Sequence, residues 1–460
     1  MNVEQIYTGC LSQGAYYIES DGEVAIVDPL RETKPYLERI KRDGATLKYI
    51  FETHFHADFV SGHLTLSEKT GAPIIYGPNA NPSFDAIIAE DGQEFKLGKI
   101  TITAIHTPGH TMESTTYLLK DENGKDYAIF SGDTLFLGDV GRPDLAQKGD
   151  EITQEDLAGM LYHSLRNKIM PLPDDVIVYP AHGAGSACGK NMMKETVDSL
   201  GNQKSMNYAL RADMTKEEFI SEVTEGLLPP PSYFPLNVKM NREGYDSIDE
   251  VLNRGTKPLT PEEFEQLANT GAVVLDVRHQ SEFIKAHIPR SIFIGIDGGF
   301  APWVGALIAD TEQPILLVVP EDREEETVTR LSRVGFDKTL GFLEGGINAW
   351  KDSGRSVDSL ESVSAETLKE KLDHNVPVFD VRNNNEYKTS HIPEVKHTPL
   401  SELNEYLEEY PENEPFYVHC AGGYRSVIAA SILKSRGIHN VIDVAGGFKD
   451  IKEVGIPVVS

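Results

Sequence analysis

The sequence predicts an α/β protein of several domains, and three observations carry that prediction. Four short motifs bearing His or Asp each follow an apolar, β-prone run and open a turn. They are Thr53-His54-Phe55-His56-Ala57-Asp58-Phe59, Thr107-Pro108-Gly109-His110-Thr111, Ser131-Gly132-Asp133-Thr134 and Pro180-Ala181-His182-Gly183. The C-terminal part repeats itself: Val274-Leu275-Asp276-Val277-Arg278 returns as Val378-Phe379-Asp380-Val381-Arg382, with strands and helices alternating in both copies. Between these parts lies Leu227-Leu228-Pro229-Pro230-Pro231-Ser232, a stiff extended segment that reads as a boundary. A chain of 460 residues has room for roughly two to four domains, each with its own core.

Composition narrows the function. Lys and Arg number 43 against 72 Asp and Glu, a net charge of −29, which argues against a nucleic-acid partner. Met1 to Gln5 lack the basic-then-apolar pattern of a signal peptide, and no apolar run approaches the ~18 residues of a membrane span. Cys10, Cys188 and Cys420 are too few and too scattered for a disulfide framework. A cytoplasmic protein with no membrane partner is the expectation.

Taken in order, Ala15 to Ile18 and Val24 to Val27 read as strands joined by a hairpin at Asp21-Gly22, with Asp28-Pro29 closing the second. Cys10 in this strand-rich start is expected to be a small buried residue. Pro35 to Arg42 reads as an amphipathic helix and Leu47 to Phe51 as the strand feeding the first His motif. His54, His56 and Asp58 sit at alternate positions on the loop leaving that strand, so their side chains can converge on one cation. Imidazole and carboxylate suit Zn²⁺, Fe²⁺ or Mn²⁺. Ile100 to Ile105, Tyr127 to Phe130 and Val176 to Tyr179 are the strands expected to bring His110, Asp133 and His182 to the same place.

After the Asp133 turn, Arg142 lies in the Gly-flanked loop Asp139-Val140-Gly141-Arg142-Pro143-Asp144. It reads either as an anion clamp or as a surface Arg paired with Asp144. Cys188 lies six positions beyond His182 in a run of small residues, which places it near the pocket mouth as a functional or a buried thiol. Glu195 to Leu210 reads as helix, and Tyr233 to Thr256 could pack on either neighbouring domain.

In the repeat, Asp276, Glu282 and His287 return 104 positions later as Asp380, Glu386 and His391, and Gly345-Gly346 returns as Gly446-Gly447. A common shift over separate motifs marks two small α/β domains with parallel sheets. The second copy ends its central strand Phe416 to His419 in Cys420-Ala421-Gly422-Gly423-Tyr424-Arg425-Ser426 and enters a helix. A Cys between a strand and a helix N-terminus meets backbone N–H groups and the positive end of the helix dipole, which favour the thiolate. In the first copy Pro320-Glu321-Asp322-Arg323-Glu324 follows the strand Ile315 to Val319, with no Cys in the region.

The motif array over about the first 240 residues resembles the metallo-β-lactamase superfamily, and residues ~258 to 460 resemble two rhodanese domains, the first lacking its Cys. The whole layout looks like the bacterial persulfide dioxygenase–rhodanese fusions. The resemblance implies an αββα sandwich over residues 1–245, a Cys-less rhodanese-like domain over 258–356 and a rhodanese domain over 359–460. Carried over, mononuclear Fe²⁺ would be held by His54, His110 and Asp133, with His56 and Asp58 as auxiliary ligands or supports. His182 would contact the pocket, and Arg142 stands where the family has an Arg. Cys420 would carry sulfane sulfur, with Ala421, Gly422, Gly423 and Tyr424 forming the binding loop and Arg425 closing it or holding an anionic donor. Cys188 would hold or relay a persulfide near the iron.

The implied reaction converts a persulfide and O₂ to sulfite and, through Cys420, yields thiosulfate, a route of sulfide detoxification. Two other readings stand beside it. The glyoxalase II type of this superfamily reads His-x-His-x-Asp-His and holds two Zn²⁺ for thioester hydrolysis; this chain has Phe59 at the last His. A non-catalytic sulfur-binding or sensing protein is the other. Large α/β enzymes of this build are often homo-oligomers, so a homo-oligomer is expected.

Overall fold

The computed structural model describes residues 1–147, 151–372, 374 and 376–460. The chain forms two compact units, one of residues 1–248 with Ser332–Gly335, the other of Asp249–Leu331 with Phe336–Ser460.

Two six-stranded sheets form the first unit. One runs in sequential order: β1 (Asn2–Thr8), β2 (Gln13–Ser20), β3 (Glu23–Val27), β4 (Thr46–Phe51), β5 (Ile74–Tyr76), β6 (Ile87–Ile88). The other is likewise sequential: β7 (Glu94–Leu97), β8 (Ile100–His106), β9 (Thr115–Lys120), β10 (Asp126–Gly132), β11 (Ile177–Pro180), β12 (Asp198–Ser199). Because side chains alternate along a strand, β2 to β5 of the first sheet serve two cores. Tyr16, Ile18, Ala25, Val27, Phe51 and Ile75 meet Phe95, Ile102, Tyr117, Leu119 and Phe130 between the sheets. Ala15, Tyr17, Val24, Ile26, Ile50 and Ile74 point the other way, toward Tyr36 and Leu66 of the helices Lys34–Asp43 and His63–Thr70. Ile129 and Val178 of the second sheet face Ala158, Leu161 and Leu165 of its own helical layer in the same manner. The result is the expected αββα sandwich.

Four strands end at one rim. β4, β8, β10 and β11 deliver His54, His110, Asp133 and His182 within a few residues of their C-terminal ends. Each exit is a tight turn. Gly132 holds φ +53°, and a Cβ there would meet Thr53 Oγ1 at 2.6 Å, so the Asp133 turn closes on the first His motif only with glycine.

The second unit contains both copies of the repeat. The strands β13 (Pro258–Leu259), β14 (Val273–Asp276), β15 (Ile292–Phe293), β16 (Ile315–Val318) and β17 (Thr339–Leu343) form an all-parallel sheet ordered β13-β17-β16-β14-β15. The second copy reproduces that order as β18-β22-β21-β19-β20, from β18 (Glu361–Val363), β19 (Val378–Asp380), β20 (Lys396–His397), β21 (Phe416–His419) and β22 (Val441–Val444). β16 and β21 are buried along their whole length, as central parallel strands covered on both faces must be.

Three local expectations change. Residues 195–210 are not one helix: β12 precedes a helix at Leu200–Met206 and a short 3₁₀ turn at Tyr208–Leu210. Ser199 caps that helix by accepting from Asn202 N, which fixes its start. Cys10 is only partly buried, in the turn after β1. The proline run does not end the first unit, because the helix Phe234–Glu243 packs back and buries Asn241 beneath the first His loop. Asn241 donates to the carbonyls of His56 and Phe59 at 2.8 Å and accepts from Ser61 N at 2.9 Å. No helix among the described residues is long and apolar enough to cross a membrane.

Candidate functional site

At the common rim, two groups of buried donors lie side by side. One atom each from His54, His110 and Asp133 falls within 4.8 Å of the others, and so do His56, Asp58 and His182. Asp133 joins the groups: its Oδ2 lies 3.4 Å from His110 Nε2 and 3.9 Å from His54 Nε2, and its Oδ1 3.6 Å from His182 Nε2. Both Asp133 oxygens, Asp58 Oδ1 and both ring nitrogens of His182 are buried without a hydrogen-bond partner. A buried carboxylate left unpaired among imidazoles is costly, and a cation would satisfy all of them at once. The residues fit a metal.

The surrounding hydrogen bonds assign which nitrogen of each ring faces the site. His110 Nδ1 donates to the carbonyl of Arg142 at 2.8 Å. Asp28 accepts from Thr53 N at 2.8 Å and from Thr53 Oγ1 at 2.9 Å. With its proton committed there, Thr53 Oγ1 accepts from His54 Nδ1 at 3.0 Å. Both rings are thus left with a free Nε2 lone pair aimed at Asp133. Asp28 Oδ1 also lies 3.0 Å from His56 Nε2, which leaves Nδ1 of that ring for the second group. Burial, reinforced by His56, His110 and His182, keeps His54 well below the ordinary imidazole range, in the neutral form a metal requires. At His182 burial opposes the charge, but Asp58 and Asp133 raise it well above that range.

Phe59 closes the first His motif against the site. It is fully buried and its ring lies 4.3 Å from that of His56 and 6.4 Å from His182. Cys188 is also buried, and it groups with Asp133 and His182 as potential ligands, inside the site rather than at its mouth. Burial, then Asp58 and Asp133, push its thiol up to about 12.

Arg142 is neither a free clamp nor a surface residue. Buried to 5% exposure, it grips Asp144 with two bonds of 2.6 and 2.7 Å and also donates to the carbonyls of Ala187 and Leu228. Its backbone serves the site: the carbonyl holds His110, and its N–H donates to the carbonyl of Cys188 at 3.0 Å. Gly141 before it allows the close approach, since a Cβ there would meet the Asp133 carbonyl at 2.1 Å.

In the second unit, Cys420 leaves β21 and is 1% exposed. Gly423, at φ +88°, caps the helix Tyr424–Ser435 without a side chain, so its N–H is free to donate to Cys420 Sγ at 3.1 Å. The Arg425 guanidinium forms a two-pronged pair with Glu386 at 2.7 and 2.8 Å, tying the loop to the helix Asn384–Thr389. Tyr424 donates to the carbonyl of Gly295 at 2.7 Å, so the Cys-less copy braces the thiol loop. At the matching place that copy has Arg323, paired with Asp297 and Glu326.

Spacing alone missed Asp28, Asn241 and Glu386. Asp28 carried one signal, an acidic residue closing an apolar strand as Asp133 does; the others act from distant segments.

Comparisons with known proteins agree with this architecture. The metallo-beta-lactamase superfamily description matches residues 8–182, and the rhodanese-like domain description matches 260–353 and 364–454. Human mitochondrial persulfide dioxygenase ETHE1 is 30% identical over 221 residues, covering 48% of this chain and 78% of that protein. Hydroxyacylglutathione hydrolase of Tolumonas auensis is 34% identical over 171 residues, 36% of this chain and 60% of that one. Among solved structures, the metallo-beta-lactamase from Staphylococcus aureus subsp. aureus COL is 29% identical with a TM-score of 0.66, covering 74% of this chain and 98% of its own.

Proposed function

The chain belongs to the metallo-β-lactamase superfamily through its N-terminal domain and continues as two rhodanese-like domains, and from that premise we propose that it is a persulfide dioxygenase with sulfurtransferase activity. A low-molecular-weight persulfide is oxidised by O₂ to sulfite at one end, and sulfane sulfur passes through Cys420 to give thiosulfate. The observation that carries this reading is the pairing, in one chain, of a two-His one-carboxylate face with a Cys loop on a helix N-terminus. His54, His110 and Asp133 would hold mononuclear Fe²⁺, which when bound supplies O₂ activation and open positions for the substrate sulfur.

The remaining roles belong to the chain's own residues. Asp28 through Thr53, and the Arg142 carbonyl, hold the His54 and His110 rings in the tautomer with Nε2 free. Phe59 fills space beside His56 and His182 and excludes water there. Cys188, buried beside Asp133 and His182, positions a persulfide at the reacting end. In the second unit the Gly423 N–H supports the negative charge of a Cys420 thiolate or persulfide. The two reactions fit in sequence, since sulfite from the first is the acceptor in the second.

A specific observation keeps a second reading alive. His56, Asp58 and His182 form their own donor group, and Asp133 spans both groups. Two Zn²⁺ could be held in that way for thioester hydrolysis, in keeping with the hydroxyacylglutathione hydrolase relatives.

One experiment separates the readings: O₂ uptake and metal content of anaerobically purified protein given glutathione persulfide. About one iron per chain with O₂ uptake, and thiosulfate replaced by sulfite in Cys420→Ser, is the expected result. Two zincs per chain without O₂ uptake would replace it with thioester hydrolysis. Full O₂ uptake and thiosulfate yield in Cys188→Ser would remove the role given to that thiol.

A further inference from the structure

Glu386 governs the charge beside the Cys420 loop. Its two oxygens take both prongs of the Arg425 guanidinium at 2.7 and 2.8 Å, and the Arg and Glu side chains keep only 18% and 32% exposure. A pair so withdrawn from water is screened less than one at the surface. The pair goes with the thiol. Six residues past the ends of β16 and β21 stand Glu324 in the copy without a Cys and Arg425 in the copy with one. Glu282, the match of Glu386, therefore has an acidic counterpart where Glu386 has a basic one.

We propose that Glu386 determines which sulfur donor Cys420 takes: by holding Arg425 it withholds a free cation from the loop, so sulfur is drawn from a carrier persulfide and not from thiosulfate. This rests on the reading of Cys420 as a sulfur carrier and gives that carrier its donor preference. Thiosulfate leaves as product and competes poorly with the persulfide for the emptied loop.

The two donors differ in the charge they bring. With a persulfide, the Cys420 sulfur as its anion attacks the outer sulfur of R–S–SH. A new S–S bond forms, the R–S bond to that sulfur breaks, and the leaving R–S⁻ takes the proton of the transferred sulfur. The products are Cys420–S–S⁻ and R–SH, a single negative charge before and after. With thiosulfate the same attack breaks the bond to the SO₃ group and gives Cys420–S–S⁻ and sulfite, so the thiolate charge is joined throughout by those of a dianion. Such an encounter calls for a cation, and the guanidinium of the loop is already committed to Glu386. If a thiosulfate oxygen took one prong of Arg425, Glu386 would face an anion with its own partner shared, which a partly buried carboxylate opposes. Sulfite, the acceptor in unloading, meets the same neutral pair, so acceptor and product are both held weakly.

Other groups around the loop leave this balance in place. Arg382 is held by Asp380 at the end of β19. Asp443 on β22 is 1% exposed and accepts from Ser362 Oγ at 2.8 Å. Behind the thiol stands an uncharged group, Ser426 Oγ at 3.6 Å. Lys449 gives its backbone N–H to the Ala421 carbonyl at 3.2 Å, but the residue is exposed, and a charge in water contributes little to holding an anion. Glu386 has a second duty, since its Oε2 accepts from Asn383 N at 3.1 Å in the capping box of the helix Asn384–Thr389. Glutamine serves a capping box equally, which lets the two duties be separated. Glu386 acts through Arg425 and is a positioning residue in this scheme.

The test loads full-length protein under nitrogen, from glutathione persulfide or from thiosulfate in separate reactions, and follows sulfur on the Cys420 peptide by mass spectrometry. Wild type should load with a higher second-order rate constant from the persulfide. Glu386→Gln should raise the ratio of the thiosulfate constant to the persulfide constant about 10-fold, the order of one charge-assisted hydrogen bond. The gain should come from a lower half-saturating concentration of thiosulfate, and that of sulfite in unloading should fall with it. Glu386→Gln combined with Arg425→Gln, which sets an amide in place of each charge, should lose the gain. An unchanged ratio in Glu386→Gln, with both donors slowed alike or neither, overturns the donor filter, as does a gain that survives Arg425→Gln. A wild type that loads equally well from the two donors overturns it too. A wild type whose Cys420 peptide gains no sulfur from either donor overturns the carrier reading, and the filter with it.

Discussion

Asp28→Asn tests how the candidate metal centre is built, because its carboxylate fixes the Thr53 hydroxyl that orients His54. Asp28 accepts from Thr53 N at 2.8 Å and Thr53 Oγ1 at 2.9 Å, and faces His56 Nε2 at 3.0 Å. Its φ is +49°, a region Asn tolerates, so the backbone is not the variable. Asn supplies one acceptor oxygen and turns an NH₂ toward groups that are themselves donors. Thr53 then loses an acceptor and the His54 tautomer is freed. Supports of this kind are worth about 10- to 100-fold in metal affinity, or about 1.4–2.8 kcal/mol. Anaerobic competition with a chelator measures it, and the difference in Tm between metal-free and metal-loaded protein should narrow in the variant. Thr53→Val removes the His54 arm alone, so the double variant should lose less than the sum of the two. Wild-type metal affinity in Asp28→Asn, or strict additivity with Thr53→Val, would refute the reasoning.

Two further outcomes follow from the second unit. In Gly298→Ala the new Cβ would lie 2.2 Å from Tyr424 Cζ, and Tyr424 is tethered to Gly295, so about 1–3 kcal/mol of overpacking falls on the Cys420 loop. Thiosulfate formation should drop and sulfite accumulate while O₂ uptake persists. Asp443 also shapes stability against pH. Its folded value of about 6 exceeds the ordinary 3.8, so the folded state binds more protons between the two and loses stability as pH rises through about 6. The cost above that range is about 3 kcal/mol, and Asp443→Asn escapes it. The Tm difference, variant minus wild type, should therefore be more positive at about pH 8 than at about pH 4, and denaturation scans at the two values check it.

Much of this was legible in the chain because it is local. An apolar strand followed by a turn bearing His or Asp is written within about ten residues, so the four ligand motifs could be read one by one. The repeat was legible for the same reason, since Asp276 and Asp380 sit in matching strands that ended in matching sheets. Other features needed distance to be closed. Helix 195–210 failed because Ser199 and the pairing of β12 with β11 claimed its first residues. The partner of Arg425 was not legible either, because Glu386, which holds both of its prongs, lies 39 positions away.

By itself the sequence determined which residues could bind a metal, which copy of the repeat carries a thiol, and that the C-terminal sheets are parallel. Those properties depend on side-chain chemistry and on periodicity, and both are present before folding. Tertiary structure alone decided which ring nitrogen faces the site, that Arg142 serves His110 through its carbonyl, and that Cys420 has Ser426 behind it. A hydrogen bond of about 3 Å is specified only when two backbones have been fixed, and packing of the sheets and helices between them fixes those backbones.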